Sequence, residues 1–92
     1  MRLGPARPNP FSGVLDVPVE VPVTAGVRVR ATVLDVRGRL VARLYDGVAP
    51  GGRMSLIWNG TDARGRVVAS GVYWLVAESG GERHAVRLVR IR

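Results

Sequence analysis

Between Trp58 and Ala77 the chain reads WNGTDARGRVVASGVYWLVA, and no other stretch restricts its folding as much. It carries both tryptophans, a dense turn (Asn59-Gly60-Thr61-Asp62, then Arg64-Gly65-Arg66) and the longest nearly apolar run. A strand ending at Trp58 must pass through this turn and return as a strand over residues 72–78. Adjacent residues of a strand point to opposite faces. One of Tyr73 and Trp74 therefore joins the core with Trp58 or Phe11, and the other lies on a sheet face or beneath a loop. The rest of the chain must cover the apolar face that this pair of strands creates.

It does so in strands. Leu15, Val17, Val19 and Val21 alternate with Asp16, Pro18, Glu20 and Pro22, a period of two that predicts a strand with one wet face. Its outward prolines predict an edge position. Thr24-Ala25-Gly26 reads as a turn into a second strand, with Val27, Val29, Ala31 and Val33 on one face. Residues 40–45 form a third, followed by a longer connection through Asp46-Gly47 and Pro50-Gly51-Gly52. The fourth, residues 53–58, sets Met54, Leu56 and Trp58 on one face. Ala69-Ser70-Gly71 predicts a bulge or bend, and residues 83–91 a last strand with Val86, Leu88 and Arg90 sharing a face.

Two turns repeat one chemistry. Asp35-Val36-Arg37-Gly38-Arg39 and Asp62-Ala63-Arg64-Gly65-Arg66 place Asp, Arg, Gly and Arg at the same offsets. Asp35 and Asp62 are suited to accept backbone N–H groups, and Gly38 and Gly65 to supply a positive φ. No segment has helical periodicity. Short strands with regular turn signals predict an all-β fold, a single antiparallel β-sandwich of about seven strands, immunoglobulin-like, over residues 13–92. Residues 1–12 read as an extended, Pro-rich lead-in in which Asn9, before Pro10, is pushed to an extended conformation. Phe11 anchors its end in the core.

Composition narrows the function. Ninety-two residues allow one small domain, and without cysteine neither a disulfide nor a thiolate metal site can support it. The net charge of +7 suggests nucleic acid, yet all fourteen basic residues are arginines scattered through strands and turns, with no block of five. That dispersal makes nucleic acid an unfavoured partner. No segment approaches the ~20 apolar residues that span a bilayer. The first residues have no apolar h-region, and their Pro-rich composition suggests a domain cut from a longer protein.

Catalytic groups are scarce. His84 is the sole histidine, the four serines lie outside any G-x-S-x-G elbow, and the seven carboxylates are dispersed. The expectation is no enzyme, no catalytic residue, no cofactor and no metal. Asn59, Thr61 and Asp62 could offer oxygens to Ca²⁺, but Asp is expected at such a turn for its own sake. Asn59-Gly60-Thr61 also fits an N-x-T acceptor, a pattern common by chance. The better candidate is an aromatic patch, since an exposed Tyr73 or Trp74 can stack on a sugar or pack on a partner.

PNPF at 8–11, VLDVRGRLVARLYDG at 33–47, WNGTDARG at 58–65 and ASGVYWLVA at 69–77 follow one another in a familiar order. On these motifs the chain resembles the FlgD-like immunoglobulin-type module, and with it the type A C-terminal sorting domain of type IX secretion cargo. The resemblance implies a sandwich at the end of a large secreted or surface protein of a bacterium. In its secretion branch such a module is a signal read by an outer-membrane translocon; in its flagellar branch it belongs to a hook-capping protein. The terminal strand departs from the pattern, with Arg83, Arg87, Arg90 and Arg92 where lysines are usual.

The leading expectation is thus a noncatalytic sorting or anchoring module, with a secretion translocon or adjacent domains of its parent as partner. The alternatives are a structural or adhesive module and a carbohydrate-binding module for a surface polysaccharide. Candidate partner-binding residues are Pro8, Asn9, Pro10 and Phe11, then Gly71, Tyr73 and Trp74, and Arg87, Arg90 and Arg92 on a terminal strand expected to offer a free edge.

Overall fold

Alternating β-branched residues form strands here because one face can be buried and the other wetted. A computed structural model describes residues 1–22 and 26–92; Thr24 and Ala25 of the expected turn lie outside the described residues. The strands are β1 (Arg2–Leu3), β2 (Leu15–Val21), β3 (Arg28–Asp35), β4 (Leu40–Val48), β5 (Gly52–Trp58), β6 (Gly71–Ser79) and β7 (Glu82–Arg90). They make two antiparallel sheets, ordered β1-β2-β5 and β4-β3-β6-β7. The fold is an immunoglobulin-like β-sandwich in which β4 hydrogen-bonds to β3, giving three strands against four.

The core contains the side chains that the alternation of β2 and β3 placed inward, joined by inward residues of β6 and β7. Leu15, Val17, Val19 and Val21 face Val29, Ala31, Val33, Leu75, Ala77 and Leu88 across the sandwich, all buried. Trp58 sits at one end between Phe11 (ring centroids 5.4 Å apart) and Tyr73 (5.3 Å). Both polar tips are satisfied: Trp58 Nε1 donates to the Thr61 carbonyl at 2.9 Å and Tyr73 Oη to the Ala69 carbonyl at 2.7 Å. The second bond has the form of the tyrosine corner of immunoglobulin-type sandwiches.

Two expectations are corrected. β2 is not an edge strand: it lies between β1 and β5. Its Pro18 is tolerated because the backbone polar side of Asp16, Pro18 and Glu20 faces the lead-in, where the Pro18 carbonyl accepts from Gly4 N–H at 2.8 Å and no β5 bond needs a proline N–H. β4 runs through Asp46-Gly47 to Val48 instead of stopping at Tyr45. The bend expected at Ala69-Ser70-Gly71 is present at Ser70, directly before β6, whose first residue Gly71 pairs with Arg90. The register shifts fall on the β3–β4 ladder, between Ala31 and Thr32 and between Val33 and Leu34. Consecutive Leu44 and Tyr45 both pack against the core as a result.

Residues 1–13 are stitched into both sheets. Arg2 and Leu3 pair with Glu20 and Val19 of β2, and Arg7 exchanges two backbone bonds with Asp16. The chain then crosses to the other sheet. The Asn9 side-chain amide donates to the Arg87 carbonyl (2.9 Å) and accepts from Val89 N–H (2.8 Å), and Phe11 bonds Val89 and Ile91 through its backbone.

Candidate functional site

The candidate residues separate into two groups. Phe11, Tyr73 and Arg90 are 1%, 8% and 6% exposed, so they build the interior and are closed to a partner of the folded domain. Pro8, Asn9, Pro10, Gly71, Trp74, Arg87 and Arg92 are exposed. The terminal strand is an edge strand, but its free edge is corrected over residues 87–91, where the backbone groups are taken by Asn9 and Phe11. Short polar side chains that imitate a neighbouring strand leave no sequence periodicity to reveal them.

Arg90 lies on the core face of β7 beside Leu88, as the alternation requires. Its guanidinium sits 5.1 Å from the Phe11 ring centroid and donates to the Ser12 carbonyl. Burial beside an aromatic face and backbone carbonyls, with no carboxylate partner among the described residues, makes it a structural pin joining the lead-in to the last strand.

The two Asp turns are built alike. The Asp35 Oδ1 accepts the N–H groups of Arg37 and Arg39, both at 2.9 Å; the Asp62 Oδ1 accepts those of Arg64 and Arg66 at 2.9 and 3.0 Å. Gly38 and Gly65 share φ 79°. Both carboxyls are held below their ordinary value, chiefly by the backbone N–H of Arg39 and of Arg66 respectively, against some desolvation. The Asp62 oxygens thus face their own turn, and the Asn59 Oδ1 is engaged by the Thr61 hydroxyl at 2.6 Å. Among the described residues no group of three acidic or histidine side chains is placed to hold a metal. His84 lies beside Glu82 (3.4 Å) at the β6–β7 hairpin, and among the described residues no nucleophile is bonded to it.

One broad surface carries unpartnered candidates: the outer face of the four-stranded sheet. Its strand register sets out three rows, Asp46–Arg30–Glu78–Arg83, Arg43–Thr32–Val76–Ala85 and Leu40–Leu34–Trp74–Arg87. The first row alternates in sign, and Asp46 also binds Arg28 at 2.9 Å. The other two rows hold no carboxylate. There Trp74 and Leu40 are 38% and 46% exposed, flanked by Arg87 and Arg43, neither of which makes an ion pair among the described residues. The sequence alone singled out Trp74 and Arg87. Arg43 and Leu40 were missed because only the register of β4 on β3, shifted twice, brings them to this face.

Known structures contain the same sandwich. The chain is similar to part of dimeric latent PorU from Porphyromonas gingivalis, at TM-score 0.72 and 20% identity over 97% of this chain. It is similar to FLGD from P. aeruginosa at TM-score 0.61 and 24% identity over 83% of this chain. It is also similar to part of PorZ, a surface component of the type-IX secretion system of Porphyromonas gingivalis, at TM-score 0.60 and 26% identity over 98% of this chain. The chain spans 9%, 58% and 11% of those three chains respectively. No curated protein sequence matches it significantly. Residues 11–82, from the Phe11 anchor to the β6–β7 hairpin, match the profile of the FlgD Ig-like domain. With this match over most of its length and a seven-stranded sandwich of the same type, the chain belongs to the FlgD Ig-like domain family.

Proposed function

We propose that this chain is a noncatalytic sorting and anchoring module of an exported bacterial protein, engaged as a folded unit by type IX secretion machinery and residing at the cell surface. The observation that carries this reading is the likeness of 98% of the chain, at 26% identity, to a small part of PorZ, a surface component of that system. In this reading the residues that meet the machinery are the exposed ones: Pro8 and Pro10 on the lead-in, Trp74 and Arg87 on the outer sheet face, and Arg92. Phe11, Tyr73 and Arg90 support the folded surface from within, exposed Gly71 opens β6 beside Arg90, and Asn9 holds the lead-in against β7.

The test is a fusion of residues 1–92 to the C-terminus of a reporter with a signal peptide, in a bacterium with type IX secretion. Deleting β7 would remove fully buried Leu88 and destroy the fold, so the comparison should include Leu88→Asp as an unfolded control and the exposed pair Trp74→Ala/Arg87→Gln as a folded one. Export of the intact fusion to the surface, lost in the folded double variant, supports the reading. Retention of a folded, intact fusion in the periplasm overturns it in favour of a structural module for protein assembly, which the likeness to FLGD over 58% of that chain favours.

A further inference from the structure

We infer that the outer face of the four-stranded sheet binds an acidic polysaccharide, its sugar rings stacking on Trp74 and its acid groups paired with Arg87 and Arg43. This goes beyond the sorting reading and does not depend on it. Trp74 is directly across the ladder from Arg87, so their side chains rise from Cβ atoms about 5 Å apart. A ring laid on the indole therefore brings its substituents within reach of the guanidinium fork, which matches a carboxylate or sulfate in two bonds. Arg43 stands on β4, three strand spacings from β7 and about 14 Å away. Cations on both sides of one stacking platform suit a chain of several sugars better than a single one.

Charge selects where on the face the ligand lies. The row Asp46–Arg30–Glu78–Arg83 neutralises itself, whereas the half around Trp74 has two arginines and no carboxylate. A net charge of +7 disfavours a second copy of this chain on that face. Single-stranded nucleic acid is bound by successive aromatics on which successive bases stack; among the described residues this face has one. A stable protein interface buries about 800 Å² per side around an apolar core, and among the described residues the large exposed apolar side chains of this face are scattered: Trp74 and Leu40 in one row, Val48 beside Arg28 at the far end.

The experiment is calorimetric titration of residues 1–92 with polygalacturonate at 0.15 M salt, beside dextran, polyglutamate, oligothymidylate and phosphatidylglycerol vesicles. We expect saturable binding of polygalacturonate and none of dextran. Trp74→Ala should weaken it about tenfold and Arg87→Gln or Arg43→Gln about threefold to tenfold, with Arg30→Gln, flanked by Asp46 and Glu78, close to the parent. Arg87 and Arg43 are surface residues, so their variants test the site even if Trp74→Ala lowers the melting temperature. Absence of polygalacturonate binding overturns the inference. So does equal affinity for polyglutamate, oligothymidylate or the vesicles, or unchanged affinity in Trp74→Ala and Arg87→Gln.

Discussion

Arg90 and Gly60 explain one another. A Cβ added at Gly60 would lie 2.6 Å from the Arg90 Cζ, and the residue has φ 76°. The guanidinium cannot swing aside, because it is buried against Phe11 and bonded to the Ser12 carbonyl. Gly65 has nearly the same φ, 79°, but open space around it. Gly60→Ala should therefore cost more than Gly65→Ala: about 2–3 kcal/mol against about 1 kcal/mol for the strained backbone alone. Urea unfolding of both variants measures the difference, and equal losses would show that Arg90 yields freely. At this scale the sequence was informative about identity and silent about neighbours. Gly60 was visible as a turn residue, while its crowding by a side chain 30 positions on arises only when β7 is laid beside the turn.

The lead-in is the element whose role changed most between sequence and structure. Its prolines and Phe11 marked an extended, anchored segment, and the anchor is there. Its pairing with two sheets was not legible, because two strand residues, one side-chain amide and a pair of single bridges carry no periodicity. Physically it serves to cover edges: β2 on one sheet and residues 87–91 on the other. Removing residues 1–10 should expose β2 and free the Arg87 carbonyl and Val89 N–H of β7, so the shortened chain should self-associate at concentrations where the full chain is monodisperse, as light scattering would reveal. Asn9→Ala alone, which frees one carbonyl and one N–H of β7, should lower stability by about 1 kcal/mol. A truncated chain that stays monodisperse would show that the edges need no cover.

For the molecule as a whole, acid is the informative perturbation. Asp35 and Asp62 are held low by turn N–H groups, and Glu82 by the N-terminal ammonium and His84. A carboxyl whose pKa is lowered on folding stabilises the fold above its unfolded value of about 4, and that contribution is lost as pH falls through the folded value. Protonation also adds to a net charge already at +7. Asp62→Asn should thus unfold at lower urea than the parent at pH 7, and the gap should narrow by pH 3. A gap that stays constant would remove the charge from the explanation.

What the sequence determined by itself is the local half of the design: alternation set which side chains face inward, and the Asp-x-Arg-Gly-Arg repeats set two turns, because both are written within a few residues. Tertiary structure decided the rest. Which strands neighbour one another, which edges are covered, and that Arg43, Trp74 and Arg87 share one face depend on ladder register between distant segments. Register is fixed by the summed packing of both sheets, and no single segment of the chain contains it.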